Sequence, residues 1–247
     1  MTSKNSIPIG KTCGVEHHET GFNGIVSVQV TREEARFDLT WDRFVRLEAA
    51  ALAVKQASPL RETVLDVGGF DGALALFLSE HPVHLIDPAT TGACALETKI
   101  ERTYRTVVSV DVLEHVVPGS RRRFLEKLAG LAGETMIINY PCRESEEAQK
   151  LVFEMTGNSL IKEHVEYGLP DTEEVLETMR EIGFEPELKP HSSLAVWTSQ
   201  YLFQNSSPEE AGKLNRYLVE NHALEDFSTP LYHLVVGRRK ASPGQAG

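Results

Sequence analysis

Residues 63–72 read Thr-Val-Leu-Asp-Val-Gly-Gly-Phe-Asp-Gly, which sets one carboxylate, Asp66, ahead of three glycines, Gly68, Gly69 and Gly72. An apolar run that meets glycines and continues as Ala-Leu-Ala-Leu-Phe-Leu has the pattern of a strand, a tight turn and a helix over 72–80. Glycine lets the backbone turn sharply and lets a ligand approach it without Cβ obstruction. A second short strand, Val-His-Leu-Ile-Asp at 83–87, ends in Asp87. It lies about twenty positions on, the spacing at which a dinucleotide-type fold sets a carboxylate on ribose hydroxyls. The two segments describe a nucleoside-binding cleft. They lack the G-x-G-x-x-G of nicotinamide and flavin sites and carry D-x-G-x-x-x-G instead, from Asp66 through Gly68 to Gly72. A carboxylate at that point repels a pyrophosphate and attracts a cationic ligand.

On these residues the chain resembles the class I S-adenosylmethionine-dependent methyltransferases, whose first motif is usually written D/E-x-G-x-G-x-G. Phe70 stands in the slot of the middle glycine. Residues 109–116, Ser-Val-Asp-Val-Leu-Glu-His-Val, resemble the fourth-strand motif of small-molecule members, which commonly ends in Leu-Glu-His-Val. Residues 163–171 and 232–237 are similar to bacterial members associated with glycan biosynthesis. The resemblance implies a Rossmann-like, doubly wound α/β fold: a mostly parallel seven-stranded sheet with an antiparallel last strand. It implies S-adenosyl-L-methionine as cofactor, whose ammonium and sulfonium suit an acidic loop. Asp66, Gly68 and Gly72 would then surround the methionine portion, with Gly69 and Phe70 in the same loop, Asp87 on the ribose and Asp111 lining the cleft. The implied reaction is methyl transfer to a small-molecule or glycan-type acceptor. Two other readings stand beside it: a non-catalytic member of the same fold, and an NAD-dependent oxidoreductase, against which the missing fingerprint counts.

Proton transfer has two histidine candidates. His115 closes the Leu-Glu-His motif, where an imidazole suits base chemistry but cleft lining is the plainer role. His164 sits among Glu163, Glu166 and Tyr167 on an expected loop. Tyr140, after a central strand, reads as packing or substrate contact, and Glu97 is a candidate adenine contact. Glu16-His-His-Glu19 holds metal-ligand residue types, but adjacent histidines on a strand face opposite sides and the spacing is not H-E-x-x-H. No metal site is expected.

The elements that must position these groups follow from periodicity and punctuation. Ile25-Val-Ser-Val-Gln-Val30 is a strand in an N-terminal extension (1–36) whose role the pattern leaves open. Thr40 is placed to cap a helix carrying Trp41, Phe44, Val45, Ala51 and Leu52, ending before Ser58-Pro59. Residues 106–110 and 135–139 are apolar, buried-strand runs around a helix capped by Ser120 and stopped by Gly133. Residues 88–110 must hold the fourth strand as well as whatever precedes it, so a helix or a third strand is shortened or missing there. Residues 141–170 are a lid insertion with a helix over 146–155, leaving the carboxyl edge of the sheet. Asp171-Thr-Glu-Glu174 is a capping box for a helix that Gly183 closes. Residues 184–190, with two prolines, suit an edge strand; 207–210 open another helix, and 231–237 supply the last strand.

At 247 residues the chain has the length of one elaborated α/β domain, and residues 1–247 are read as such. A formal net charge of -11 speaks against a nucleic-acid partner or membrane held by counterion release. Cys13, Cys94 and Cys142 fit neither a disulfide framework nor zinc spacing and read as cytosolic thiols. With no signal-peptide core and no apolar run near the roughly 20 residues of a span, a cytoplasmic protein without membrane insertion is expected. Oligomeric state is not legible.

Overall fold

The computed structural model describes residues 14–58, 61–223 and 229–240, so Cys13 and Pro59 lie outside it. Eight strands form one sheet: β1 (Val15–Glu19), β2 (Val26–Val30), β3 (Val64–Val67), β4 (Val83–Ile86), β5 (Tyr104–Val110), β6 (Ala132–Pro141), β7 (Phe184–Ser193) and β8 (Pro230–Arg239). Their spatial order is β1-β2-β4-β3-β5-β6-β8-β7. The centre, β4-β3-β5-β6, is parallel. β8 runs antiparallel between β6 and β7, and β7 is the edge strand that its prolines require.

Two core clusters cover the two faces, as strand alternation dictates. Val64, Val108, Ile137 and Leu234 face α1 (Trp41–Ala57), while Leu65, Val107, Met136 and Val235 pack with Phe124 and Met179. Along the chain α1 is followed by the short α2 (Pro88–Thr91) and then by α3 (Pro118–Leu131), which carries Phe124. The remaining helices are α4 (Glu146–Thr156), α5 (Ser159–Tyr167), α6 (Thr172–Glu181), α7 (Leu194–Ser206) and α8 (Pro208–Asn221). None of the helices among the described residues is long and apolar enough to cross a membrane.

The strand count exceeds the expected seven because of the N-terminus. No third parallel strand forms between α2 and β5. β2 pairs antiparallel with β4 instead, placing Val28 opposite Val83, and β1 completes the edge. The exposed hydrogen-bonding edge of β4 is thus closed by a local hairpin rather than by a crossover, which needs a dozen or more residues. In β1, His17 and His18 do alternate, and the His17 Nε2 pairs with the Asp71 carbonyl at 2.9 Å.

Three further expectations are corrected. The helix over 72–80 is only a 3-10 turn, Ala73–Phe77, with every side chain buried. Those residues offer no polar face, and Pro82 follows five positions after Phe77. The loop expected around His164 is α5, capped by the Asn158 side chain accepting from the Leu160 N–H at 3.0 Å. Thr40 occupies the N-cap of α1 without a capping side-chain bond. Asn215 of α8 does that work, accepting from Trp41 N–H at 2.6 Å and donating to Leu39 O at 2.9 Å. Val28, buried at the hairpin seam against the Gly72 turn, tests this edge. Val28→Asp strands a carboxylate there and is expected to lower the unfolding free energy by about 2–4 kcal/mol, read from the urea midpoint.

Candidate functional site

A cavity of about 540 Å³ lies beyond the carboxyl ends of β3, β5 and β6, within the size range of small-molecule sites. Its wall includes Gly68, Gly69 and Phe70 after β3, and Asp111 and His115 after β5. Arg43 and Arg46 of α1 form another side; His164 of α5, Trp197 and Tyr201 of α7, and Tyr232 of β8 close it. Of the nine expected site residues, six are brought together on this wall. Asp66, Gly72 and Asp87 are not on it.

The glycine turn is shaped by its neighbours. Gly68 adopts φ +78°, and a Cβ there would stand 2.4 Å from the Val112 side chain, so the loops after β3 and β5 touch through glycine alone. A Cβ on Gly69 would fall 1.9 Å from Asp66 Oδ2. The Asp66 carboxyl therefore sits beneath the turn rather than above it. It is buried, and neither oxygen has a hydrogen-bond partner among the described residues. Burial first, then the nearby Asp87 and Asp71 carboxylates, pushes it up to about 8, with Arg43 opposing.

Asp87 ends β4 as expected but turns inward. One oxygen accepts from Ala89 N–H at 2.8 Å, capping α2, and the other from Phe70 N–H at 3.0 Å. It braces the loop whose Phe70 has φ +55°. Thr90 Oγ1 donates to the Phe70 carbonyl at 2.5 Å, Arg43 is ion-paired with Asp71, and the Arg43 guanidinium lies 5.8 Å from the Phe70 ring centroid. Asp111 also has φ +55°, so two of the four non-glycine residues at positive φ among the described residues flank this cavity, where strain is held by surrounding contacts.

Arg46 is the residue that sequence reasoning missed. Its Nε lies 3.0 Å from Asp111 Oδ2, and its Nη1 donates to Asp42 at 2.8 Å and to the Tyr232 hydroxyl at 3.0 Å. Burial works against its charge, but Asp111, Tyr232, Asp42 and Tyr201 outweigh it and hold the guanidinium well above its ordinary range. Burial raises the Asp111 carboxyl, with Arg46 opposing. Arg43 and Arg46 fall three apart on α1 and so share a face, a signal present in the sequence but unused.

The second half of the wall is an imidazole pair. His115 Nδ1 meets Glu163 Oε2 at 2.6 Å, and His164 Nδ1 meets Gln149 Oε1 at 2.5 Å. The two Nε2 atoms lie 3.3 Å apart. Burial, followed by repulsion from His115, Arg46 and Arg121, depresses His164 to about 3, so it is neutral at physiological pH. Glu114 beside them is fully buried with both oxygens unpartnered among the described residues. Tyr140 packs in the core of the opposite face, and Glu97 is exposed on its connector away from the cavity wall.

No family model matches the chain, and no curated protein matches its sequence. Solved structures do. The plantazolicin methyltransferase BpumL in complex with S-adenosylhomocysteine is 10% identical, with 81% of this chain and 85% of that one covered and a TM-score of 0.50. The YcgJ protein from Bacillus subtilis is 13% identical over 78% of this chain and 99% of its own, again with a TM-score of 0.50. At these identities, what is shared is the fold: the Rossmann-like α/β architecture of proteins that include a methyltransferase.

Two outcomes follow. An unfolded Asp66 ionises near pH 4, whereas the folded one keeps its proton to about pH 8, so the wild type loses stability across that window as pH rises. Asp66→Asn has no such loss, and its stability relative to wild type is expected to climb by up to about 1.4 kcal/mol per pH unit between pH 4 and 8 in urea titrations. Asp87→Ala removes the acceptor of two backbone N–H groups and is expected to cost about 2 kcal/mol, seen as a lower melting temperature without ligand.

Proposed function

We propose that the protein transfers a methyl group from S-adenosyl-L-methionine to a small-molecule acceptor. The observation that carries this reading is the cavity at the carboxyl edge of the parallel strands, walled on one side by the Gly68–Phe70 turn and Asp111 and on the other by groups from α1, α5, α7 and β8. Such a site takes a nucleoside on the glycine side and leaves space opposite for an acceptor. The motif resemblance supplies the nucleoside's identity, and the shared fold is consistent with it. Gly68, Gly69, Phe70 and Asp111 contact the cofactor in this reading, while Asp66, Gly72 and Asp87 set the shape of the loop. The segment 141–170, as α4 and α5, serves as the lid of a single-domain cytoplasmic enzyme. The similarity of 163–171 and 232–237 to glycan-associated members puts sugars and glycolipid precursors first among acceptors to screen.

The chemistry asks little of the protein. A sulfonium already makes its methyl group an electrophile, so alignment with a nucleophile and exclusion of water remain, and alignment alone supplies up to about 7–11 kcal/mol in favourable cases. Tyr201 and Tyr232 have phenols raised by burial and stay protonated, available as hydrogen-bond donors rather than bases. His115, with Glu163 on its Nδ1, is the proposed group for accepting an acceptor's proton where one must leave, and His164 lies beside it.

Calorimetric titration with S-adenosylmethionine and S-adenosylhomocysteine tests the cofactor. Micromolar binding is expected, weakened about tenfold (about 1.4 kcal/mol) in Phe70→Ala, which removes a wall of the cavity. Absence of binding by folded protein at millimolar ligand, or a preference for NAD, overturns the reading.

A further inference from the structure

Three donor groups that no part of the methyl-transfer reading needs together converge beside the cavity. The 3-10 turn Leu113–His115 brings Glu114 and His115 to the carboxyl end of β5, and α5 lays His164 against them. One carboxylate oxygen of Glu114 and one nitrogen from each imidazole lie within 4.8 Å of one another.

The hydrogen bonds around the rings assign their tautomers. Ser145 Oγ donates its single proton to the Cys142 carbonyl at 2.7 Å, so it accepts from Gln149 Nε2 at 2.9 Å. That fixes the Gln149 amide with its oxygen toward His164, and His164 must carry its proton on Nδ1. The Glu163 carboxylate makes the same demand of His115 Nδ1. With both rings neutral the two Nε2 atoms keep lone pairs, and these face each other across 3.3 Å. Two acceptors at that separation repel unless a cation lies between them.

The separation also has a geometric meaning. An ion bound by two imidazole nitrogens at about 2.0–2.1 Å in tetrahedral geometry holds those nitrogens about 3.3–3.4 Å apart. Glu114, fully buried and without a hydrogen-bond partner for either oxygen among the described residues, is a third oxygen donor left unengaged. Each imidazole has its outer nitrogen held by a carboxylate or amide oxygen, the arrangement that orients histidine ligands and raises their basicity. The guanidinium of Arg46 faces the same region but is engaged by Asp111 and Asp42.

We propose that Glu114, His115 and His164 form a binding site for one divalent first-row transition-metal ion of the zinc class, with Glu163 and Gln149 orienting the two imidazoles. Two nitrogens and one carboxylate leave a fourth position open, the pattern of sites that bind a further ligand rather than purely structural ones. That position adjoins the cavity lined by Asp111, His115 and His164, so an oxygen or nitrogen of a molecule held there is its natural occupant. The ion site stands whether or not the cavity takes S-adenosylmethionine, and with the ion bound His115 Nε2 is a ligand and no longer the group that accepts an acceptor's proton. It departs from the expectation of no metal, which weighed the histidine pair on β1 and the cysteine spacing but not side chains that the fold brings together.

The test is titration of chelator-stripped full-length protein with zinc chloride by calorimetry, and with cobalt chloride by visible absorption. One equivalent of zinc is expected, with cobalt giving d–d bands that zinc abolishes. His115→Ala and His164→Ala are each expected to weaken zinc binding about 100-fold or more, and Glu163→Gln about 10-fold, in samples whose circular dichroism matches wild type. His115 and Glu163 are partly exposed, so their variants keep the test decisive if the buried His164 variant does not fold. No saturable binding by folded wild type overturns the proposal, since the facing nitrogens then share a proton. Unchanged affinity in His115→Ala overturns it too, placing the ion elsewhere, for example at Cys142, Glu144 and His233.

Discussion

The cavity depends on one partly buried cation. Arg46 reaches from α1 to Asp111 after β5 and to Tyr232 on β8, and it is fixed on its own helix by Asp42. Removing a guanidinium from such a cluster leaves carboxylates in low dielectric and typically costs about 3–5 kcal/mol, because a broken buried pair loses attraction without recovering hydration. The same contact holds Asp111 at φ +55°, assisted by Asn139, whose side-chain nitrogen lies 3.4 Å from the other Asp111 oxygen. Helix, strand end and last strand thus meet at one charge. The space between them is what the two loops and α5 then line.

Around that centre the protein solves an edge problem in its own way. The segment between α2 and β5 contributes no strand, which would leave β4 with unpaired backbone groups. The hairpin of β1 and β2 covers them. It also brings Val28 under Gly72 and His17 onto the Asp71 carbonyl, so the N-terminal segment supports the glycine turn from below. The turn is held from the other side by Asp87 and Thr90. Its backbone is therefore constrained before any ligand arrives, which lowers the ordering cost of binding.

The two halves of the cavity differ in chemistry. The glycine side offers backbone and an aromatic ring; the far side offers neutral phenols, a paired guanidinium and the imidazole pair with its buried carboxylate. A site so divided sets backbone and aromatic surface against convergent polar groups across one cavity.

The D-x-G-x-x-x-G turn, the run of short buried strands and the helix opened by Asp171 and closed at Gly183 were legible in the sequence, because each rests on local periodicity, a local cap or backbone freedom that glycine supplies, whereas Ser120 falls inside α3 and Gly133 inside β6. The same local logic gave β7 its place at the edge through Pro186 and Pro190. What only the tertiary structure decided are matters of side-chain direction and of partners far apart in the chain. Asp87 turns onto backbone N–H groups instead of into the cavity, Asn215 caps a helix 174 residues away, and Glu114 meets His164 through the packing of α5 on a 3-10 turn. Periodicity assigns a residue to a face, but where its polar atoms point is settled by the groups that other elements bring within hydrogen-bond reach.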